Sequence, residues 1–134
     1  MKSKIAPLVL TALAVSFLFA SGLDGISNHL ATAQSTTSGT TVSMAKGSQA
    51  PDNPEFYVPA EVTVKAGETI TWKNEDTAIH TATSGENSTP NGKFDTSLVS
   101  PGQSSKPIAM PNEPGQYTYF CTLHPWMTGT ITIS

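Results

Sequence analysis

The residues best suited to chemistry lie close together near the C-terminus, in the stretch YTYFCTLHPWMTG. It contains the one cysteine of the chain, Cys121, followed by His124 and Met127 at intervals of three residues. A thiolate, an imidazole and a thioether are soft and borderline ligands, and copper heads the affinity order of the first-row divalent metals. The spacing therefore predicts a copper site that needs a further strong ligand from elsewhere in the chain.

The sequence offers two other histidines as that ligand. His29 lies in a polar N-terminal stretch, whereas His80 follows the strand-like TITWK in KNEDTAIHTAT. A β-sandwich brings the loops of distant strands together at one end, so His80 can share a site with Cys121. Two imidazoles and a thiolate with a weak axial thioether form the trigonal site of a blue-copper electron-transfer protein.

The elements that must hold these residues are predicted to be short strands. Val62 and Val64 alternate with polar residues, an AGE turn follows, and Ile70 and Trp72 alternate with polar residues in turn. This period of two predicts a pair of strands with one buried face. Further strands are predicted in TVSMAKG, in the YTYFC stretch and in the C-terminal TGTITIS, with a loop-rich segment at NEDTAIHTATSGENSTPNGKFD. No segment has a helical period, so we expect an antiparallel all-β sandwich or barrel.

The N-terminal part differs from the rest. Residues 1–23 combine two Lys with an uncharged apolar run of 19 residues, which is typical of a signal peptide but is also long enough for an uncleaved membrane anchor. Residues 24–40 are small and polar and indicate a flexible linker, so the folded domain is expected at residues 41–134. The protein is therefore expected to be exported, to a periplasm, a pseudoperiplasm or the extracellular side of the membrane.

These stretches together resemble the cupredoxins, of the plastocyanin and amicyanin kind. The resemblance is carried by GETITWKNEDTAIHTAT, KFD, PGQ and EPGQYTYFCTLHPWMTGTITI, and the compact Cys-x-x-His-x-x-Met loop is similar to that of amicyanin. It implies a Greek-key β-sandwich and one type 1 copper per chain. It also implies a ligand set, which consists of His80, Cys121, His124 and Met127.

Two positions depart from the family pattern. Asn often follows the first histidine ligand and braces the ligand loops, whereas this chain has Thr81, which alters the hydrogen bonding that tunes the metal. Only Pro125 and Trp126 separate His124 from Met127. Because axial bonds are long and weak, the sequence leaves open whether the Met127 sulfur reaches the metal or whether water or a small ligand takes its place.

The resemblance implies an electron carrier rather than an enzyme, moving single electrons between redox proteins that dock near His124 and Trp126. With an open axial position, the site would instead bind or convert nitric oxide, nitrite or oxygen. A multicopper enzyme would need more histidines, a copper-storage protein would be richer in Met, and an adhesion domain leaves the three clustered ligands unexplained.

Composition limits the other partners. All seven basic residues are Lys and the net charge is −3, so nucleic acid is not expected, and membrane contact is expected only through an uncleaved anchor. Asp76 is predicted to form a turn. Asn87 opens an NST glycosylation acceptor, and an unmodified loop residue is the favoured interpretation if the source is prokaryotic.

Overall fold

The computed structural model describes residues 39–134, which form two packed β-sheets. Within this range there are nine strands and no helix. The described residues therefore contain no helix that is long and apolar enough to cross a bilayer. The strands are β1 (Thr40–Met44), β2 (Tyr57–Val58), β3 (Glu61–Val64), β4 (Thr69–Asn74), β5 (Thr83–Glu86), β6 (Thr89–Asp95), β7 (Ile108–Ala109), β8 (Gly115–Phe120) and β9 (Thr128–Ile133). The predicted all-β sandwich is confirmed.

The predicted targeting segment, residues 1–23, lies outside the described residues, as do His29 and nearly all of the predicted linker, residues 24–40. These assignments remain predictions. Thr40, at the linker's end, is already the first residue of β1.

The strand order is β2-β1-β4-β7 in one sheet and β3-β9-β8-β5-β6 in the other. The pairs β1–β4 and β3–β9 are parallel, so the expectation of a purely antiparallel sandwich is wrong. The chain changes sheet several times, and in this way β4 returns beside β1, and β9 beside β3, in the same direction. These crossings between the two sheets make the sandwich a Greek-key arrangement.

The alternating segments form strands as predicted. Val62 and Val64 of β3 and Ile70 and Trp72 of β4 are buried. The two strands do not pair with each other, because the turn that contains Gly67 carries the chain from one sheet to the other. Each strand therefore contributes its own buried face to the common core.

The segment predicted to be loop-rich contains the β5–β6 hairpin, so that prediction is wrong. The hairpin was missed because nearly all of β6 is exposed and Phe94 is its one buried residue. Its turn residues, Asn87 and Ser88, have φ of 49° and 62°. Positive φ at both central positions is what a two-residue type I′ turn requires, and Asn is favoured there.

An aromatic cluster fills the core between the sheets. Trp72 packs at 5.7 Å between ring centroids against both Phe94 and Tyr119, which confirms the prediction that Trp72 is a core residue. Burial of apolar side chains is the main favourable term in folding. The packed aromatic core therefore stabilises the two sheets, and the sheets hold the loops at one end of the sandwich.

Candidate metal centre

Two loops from different sheets meet at one end of the sandwich. The first follows β4 and contains His80; the second joins β8 to β9 and contains Cys121, His124 and Met127. They meet because Thr83 at the start of β5 pairs with Phe120 at the end of β8. Residues 41 positions apart in the sequence are thereby brought side by side.

His80 is held rigidly by its backbone and its surroundings. Its amide donates to the carbonyl of Val99 at 3.2 Å, and the amide of Val99 donates back to the His80 carbonyl at 2.8 Å. Its side chain is fully buried. Backbone pairing and burial together fix the position of the imidazole before any metal is considered.

The second loop is a tight, hydrogen-bonded turn. The amide of His124 donates to the carbonyl of Cys121, and the amide of Met127 donates to the carbonyl of His124. The loop closes where the amide of Cys121 donates to the carbonyl of Met127 at 3.1 Å. Met127 is therefore placed beside Cys121 at the base of the loop, and its side chain is fully buried.

The three strong donors converge on one point. Cys121 Sγ lies 3.7 Å from His80 Nδ1 and 3.6 Å from His124 Nδ1, and the two Nδ1 atoms are 3.1 Å apart. All three ligand atoms lie within 4.8 Å of one another. A thiol and two imidazoles aimed at a common centre suit a soft or borderline metal ion, and copper is the metal that such a set favours.

The electrostatics of the site favour the metal-binding form of the cysteine. Burial alone raises the pKa of the Cys121 thiol, but hydrogen bonds, chiefly from His80 and the amide of Thr81, outweigh burial and lower this pKa to about 6. Thiols ordinarily have a pKa near 8.5. The thiolate, which is the form that ligates metals, is thus accessible near neutral pH.

Thr81 connects the two loops, although it replaces the Asn expected from the family pattern. Its amide donates to Cys121 Sγ at 3.3 Å, and its hydroxyl accepts the amide of Thr122 at 2.9 Å. The hydroxyl also lies 3.1 Å from that of Thr83. A threonine therefore makes the cross-loop hydrogen bonds at this position.

Asp76 makes a hydrogen bond to a proposed ligand that the sequence did not reveal. It accepts the amide of Thr77 at 2.7 Å, as a turn residue does, but its carboxylate also accepts His80 Nε2–H at 2.8 Å. The spacing of four residues between Asp76 and His80 was the one available signal, and acidic residues are too common before turns for it to stand out.

Three exposed apolar side chains, here called the apolar rim, are neighbours of the proposed ligands in the sequence. Ile79 precedes His80, Leu123 precedes His124, and Trp126 follows Pro125. The ring of Trp126 packs edge-on against His124, with centroids 5.4 Å apart, and its Nε1–H donates to the Ser48 carbonyl. Trp126 is thus an exposed residue beside the site.

Comparisons with known proteins agree with this arrangement. A sequence model described as the cupredoxin-like domain matches residues 9–133. Plastocyanin from Scenedesmus fuscus is 36% identical over 85 residues, covering 58% of this chain and 85% of that protein. Amicyanin from Paracoccus versutus is 35% identical over 77 residues, which is 58% of this chain but only 57% of that protein.

Solved structures that are similar to this chain are also cupredoxins. A purple cupredoxin from Nitrosopumilus maritimus matches with a TM-score of 0.64 and 27% identity, covering 71% of this chain and 99% of that one. Amicyanin from Paracoccus versutus matches with a TM-score of 0.52 and 27% identity, covering 72% of this chain and 81% of that one.

Proposed function

The chain belongs to the cupredoxin-like domain family, and from this premise we propose that it binds one copper ion and carries single electrons between redox proteins. The proposed ligands are His80, Cys121 and His124, with Met127 in the axial position. The observation that carries the proposal is the convergence of one thiol and two imidazoles, from two loops, within 4.8 Å.

The protein's contribution is a preformed site. Backbone pairing with Val99 holds His80, the closed turn from Cys121 to Met127 holds the other residues, and Thr81 ties the two loops together. When bound, copper supplies a one-electron change between Cu(I) and Cu(II). A site whose side chains are already fixed needs little rearrangement when the charge of the metal changes, which suits rapid electron exchange.

His124 provides the route to a partner. Among the four proposed ligands, His80, Cys121 and Met127 are fully buried, whereas His124 is only partly buried. It packs against the exposed Trp126, and an exposed apolar surface favours contact with another protein. Small, transient interfaces are typical of redox encounters, and residues 41–134 carry a net charge of −4 that would steer a partner with a basic surface.

The alternative function, binding or conversion of a small molecule at an open axial position, is not favoured. Met127 is fully buried in the loop that supplies Cys121 and His124, and this supports its thioether, rather than water, as the further ligand. The family comparison supports a carrier in the same way.

We also propose that the protein acts outside the cytoplasm. The support is the sequence of residues 1–23, with its charged start and apolar run, followed by a separate folded domain at residues 41–134. Whether the leader is cleaved or retained as an anchor decides between a free and a membrane-attached carrier.

Electron carriage is tested by spectroelectrochemistry on the copper-loaded full chain. The visible band should bleach on reduction and return on oxidation with one electron per chain, and added azide, nitrite or nitric oxide should leave the spectrum unchanged. One related protein is named purple, so band intensity rather than colour is the criterion. A spectrum that shifts with added ligand, or a band that fails to return, would support small-molecule chemistry instead.

A further inference from the structure

Asp76 stands apart from the other acidic residues of the described range. It is the one carboxylate there that is buried, with 3% of its surface exposed. Burying a charged group is costly unless hydrogen bonds or a partner charge compensate for it. A buried carboxylate beside the metal centre therefore needs an explanation beyond turn formation.

Hydrogen-bond donors surround the carboxylate of Asp76. Oδ1 accepts the amides of Gly47 at 2.9 Å and Thr77 at 2.7 Å. Oδ2 accepts the amide of Gln49 at 3.1 Å and the hydroxyl of Ser48 at 3.3 Å. Three amides can only donate, so this set of partners matches an ionised carboxylate, which only accepts.

The remaining partner of Asp76 is His80. The ring directs Nε2 to Asp76 Oδ2 at 2.8 Å, and its Nδ1 faces Cys121 Sγ and His124 Nδ1. Within residues 39–134, His80 is the one basic group in ion-pair contact with Asp76. The carboxylate thus occupies one side of the imidazole and the proposed metal position occupies the other.

We propose that Asp76 is a positioning residue that keeps the proton of His80 on Nε2, leaves Nδ1 free for copper, and lowers the reduction potential of the site through its buried negative charge. This inference rests on the proposed function. A hydrogen bond to the outer nitrogen of a ligating histidine fixes its tautomer and raises its basicity as a ligand. A nearby anion also favours the more positive oxidation state, and burial weakens the screening of that effect.

Charge and hydrogen bonding are separated by two substitutions. Asp76→Asn retains a side-chain oxygen that can accept from His80 but removes the charge, whereas Asp76→Ala removes both. The matched control is Glu75→Gln, which makes the same change of charge at the adjacent, exposed residue, whose partner is the surface Lys73. All variants are measured as copper-loaded full chains.

Asp76→Asn should shift the balance between Cu(II) and Cu(I) by about tenfold toward Cu(I), which matches the lower end of the losses in metal affinity that follow changes beside a metal ligand. For a one-electron couple this is a rise of about 59 mV in the reduction potential. Glu75→Gln should leave the potential near that of the unchanged protein. Equal potentials in Asp76→Asn and Glu75→Gln would overturn the electrostatic part of the proposal.

A second measurement needs no variant and no copper. Nitrogen-15 NMR of the imidazole in the copper-free protein should show the His80 proton on Nε2, with slow exchange that becomes faster in Asp76→Ala. An Nε2 that carries no proton, or exchange that is equally slow in Asp76→Ala, would overturn the positioning part. If the unchanged protein gave no thiolate–copper band, the proposed function would fail, but the imidazole spectrum would still decide the role of Asp76.

Discussion

The two histidines of the site point Nδ1 at the same centre from very different surroundings. His80 is fully buried, its backbone pairs with Val99, and its Nε2–H is held by the carboxylate of Asp76. His124 lies in a short turn, is only partly buried, and packs against the exposed ring of Trp126. Only the first has a buried anion behind it.

This difference indicates that the two histidines have different roles in the proposed copper site. The His80 side is built for fixed geometry and for control of the charge at the metal. Under the proposed function, the His124 side serves contact with a partner, because the partly buried imidazole packs against the exposed ring of Trp126. A site with two histidines of the first kind would be isolated from partners, and a site with two of the second kind would be poorly defined.

The largest effect is expected when each histidine in turn is replaced by glycine and free imidazole is added. In His124→Gly the gap opens to solvent, so imidazole should enter and restore most of the visible copper band. In His80→Gly the gap is sealed within the protein, so the same concentration should restore little or none. Visible absorption of the copper-loaded variants measures both results.

Circular dichroism of the copper-free variants provides the control for folding. Equal restoration of the two bands, or restoration only in His80→Gly, would contradict the contrast between a sealed and an open side.

A smaller effect is expected from the rim residue Trp126. Trp126→Ala removes an aromatic side chain of the kind that dominates contact surfaces, so electron self-exchange between two copies should slow by about fivefold, equivalent to about 1 kcal/mol. The copper spectrum should not change, since Trp126 is not a proposed ligand. NMR line broadening in mixtures of oxidised and reduced protein gives the rate.

Trp126→Phe sharpens this measurement. It keeps an apolar ring beside His124 but loses the hydrogen bond to the Ser48 carbonyl. A rate near that of the unchanged protein would assign the effect to apolar contact. A loss as large as that of the alanine variant would assign it to the hydrogen bond and would weaken the idea of a docking rim.

Much of the scaffold was predictable because its signal is local. Alternation in β3 and β4 directly marks residues that bury one side, and Trp72 was predicted to lie in the core on that basis. The β5–β6 hairpin was not predictable in this way, because six of the seven residues of β6 are exposed. The parallel pairing of β1 with β4 depends on crossings between sheets, which leave no pattern in either strand alone.

The site residues likewise differ in how far the sequence predicts them. Cys121, His124 and Met127 were found because uncommon residue types recur at short spacing, and His80 followed because few histidines are available. Asp76 was missed because its importance comes from burial and from donors in the distant segment at residues 47–49. Thr81 shows the converse, since a departure from the family pattern still supplies the cross-loop hydrogen bonds.

The most direct test of the central claim is the visible absorption and EPR spectrum of the full chain with one equivalent of Cu(II), compared with that of Cys121→Ser. We predict an intense thiolate-to-copper band at one copper per chain, present in the unchanged protein and absent from the variant. No such band, or an equal band in Cys121→Ser, would contradict a copper centre built on Cys121, His80 and His124.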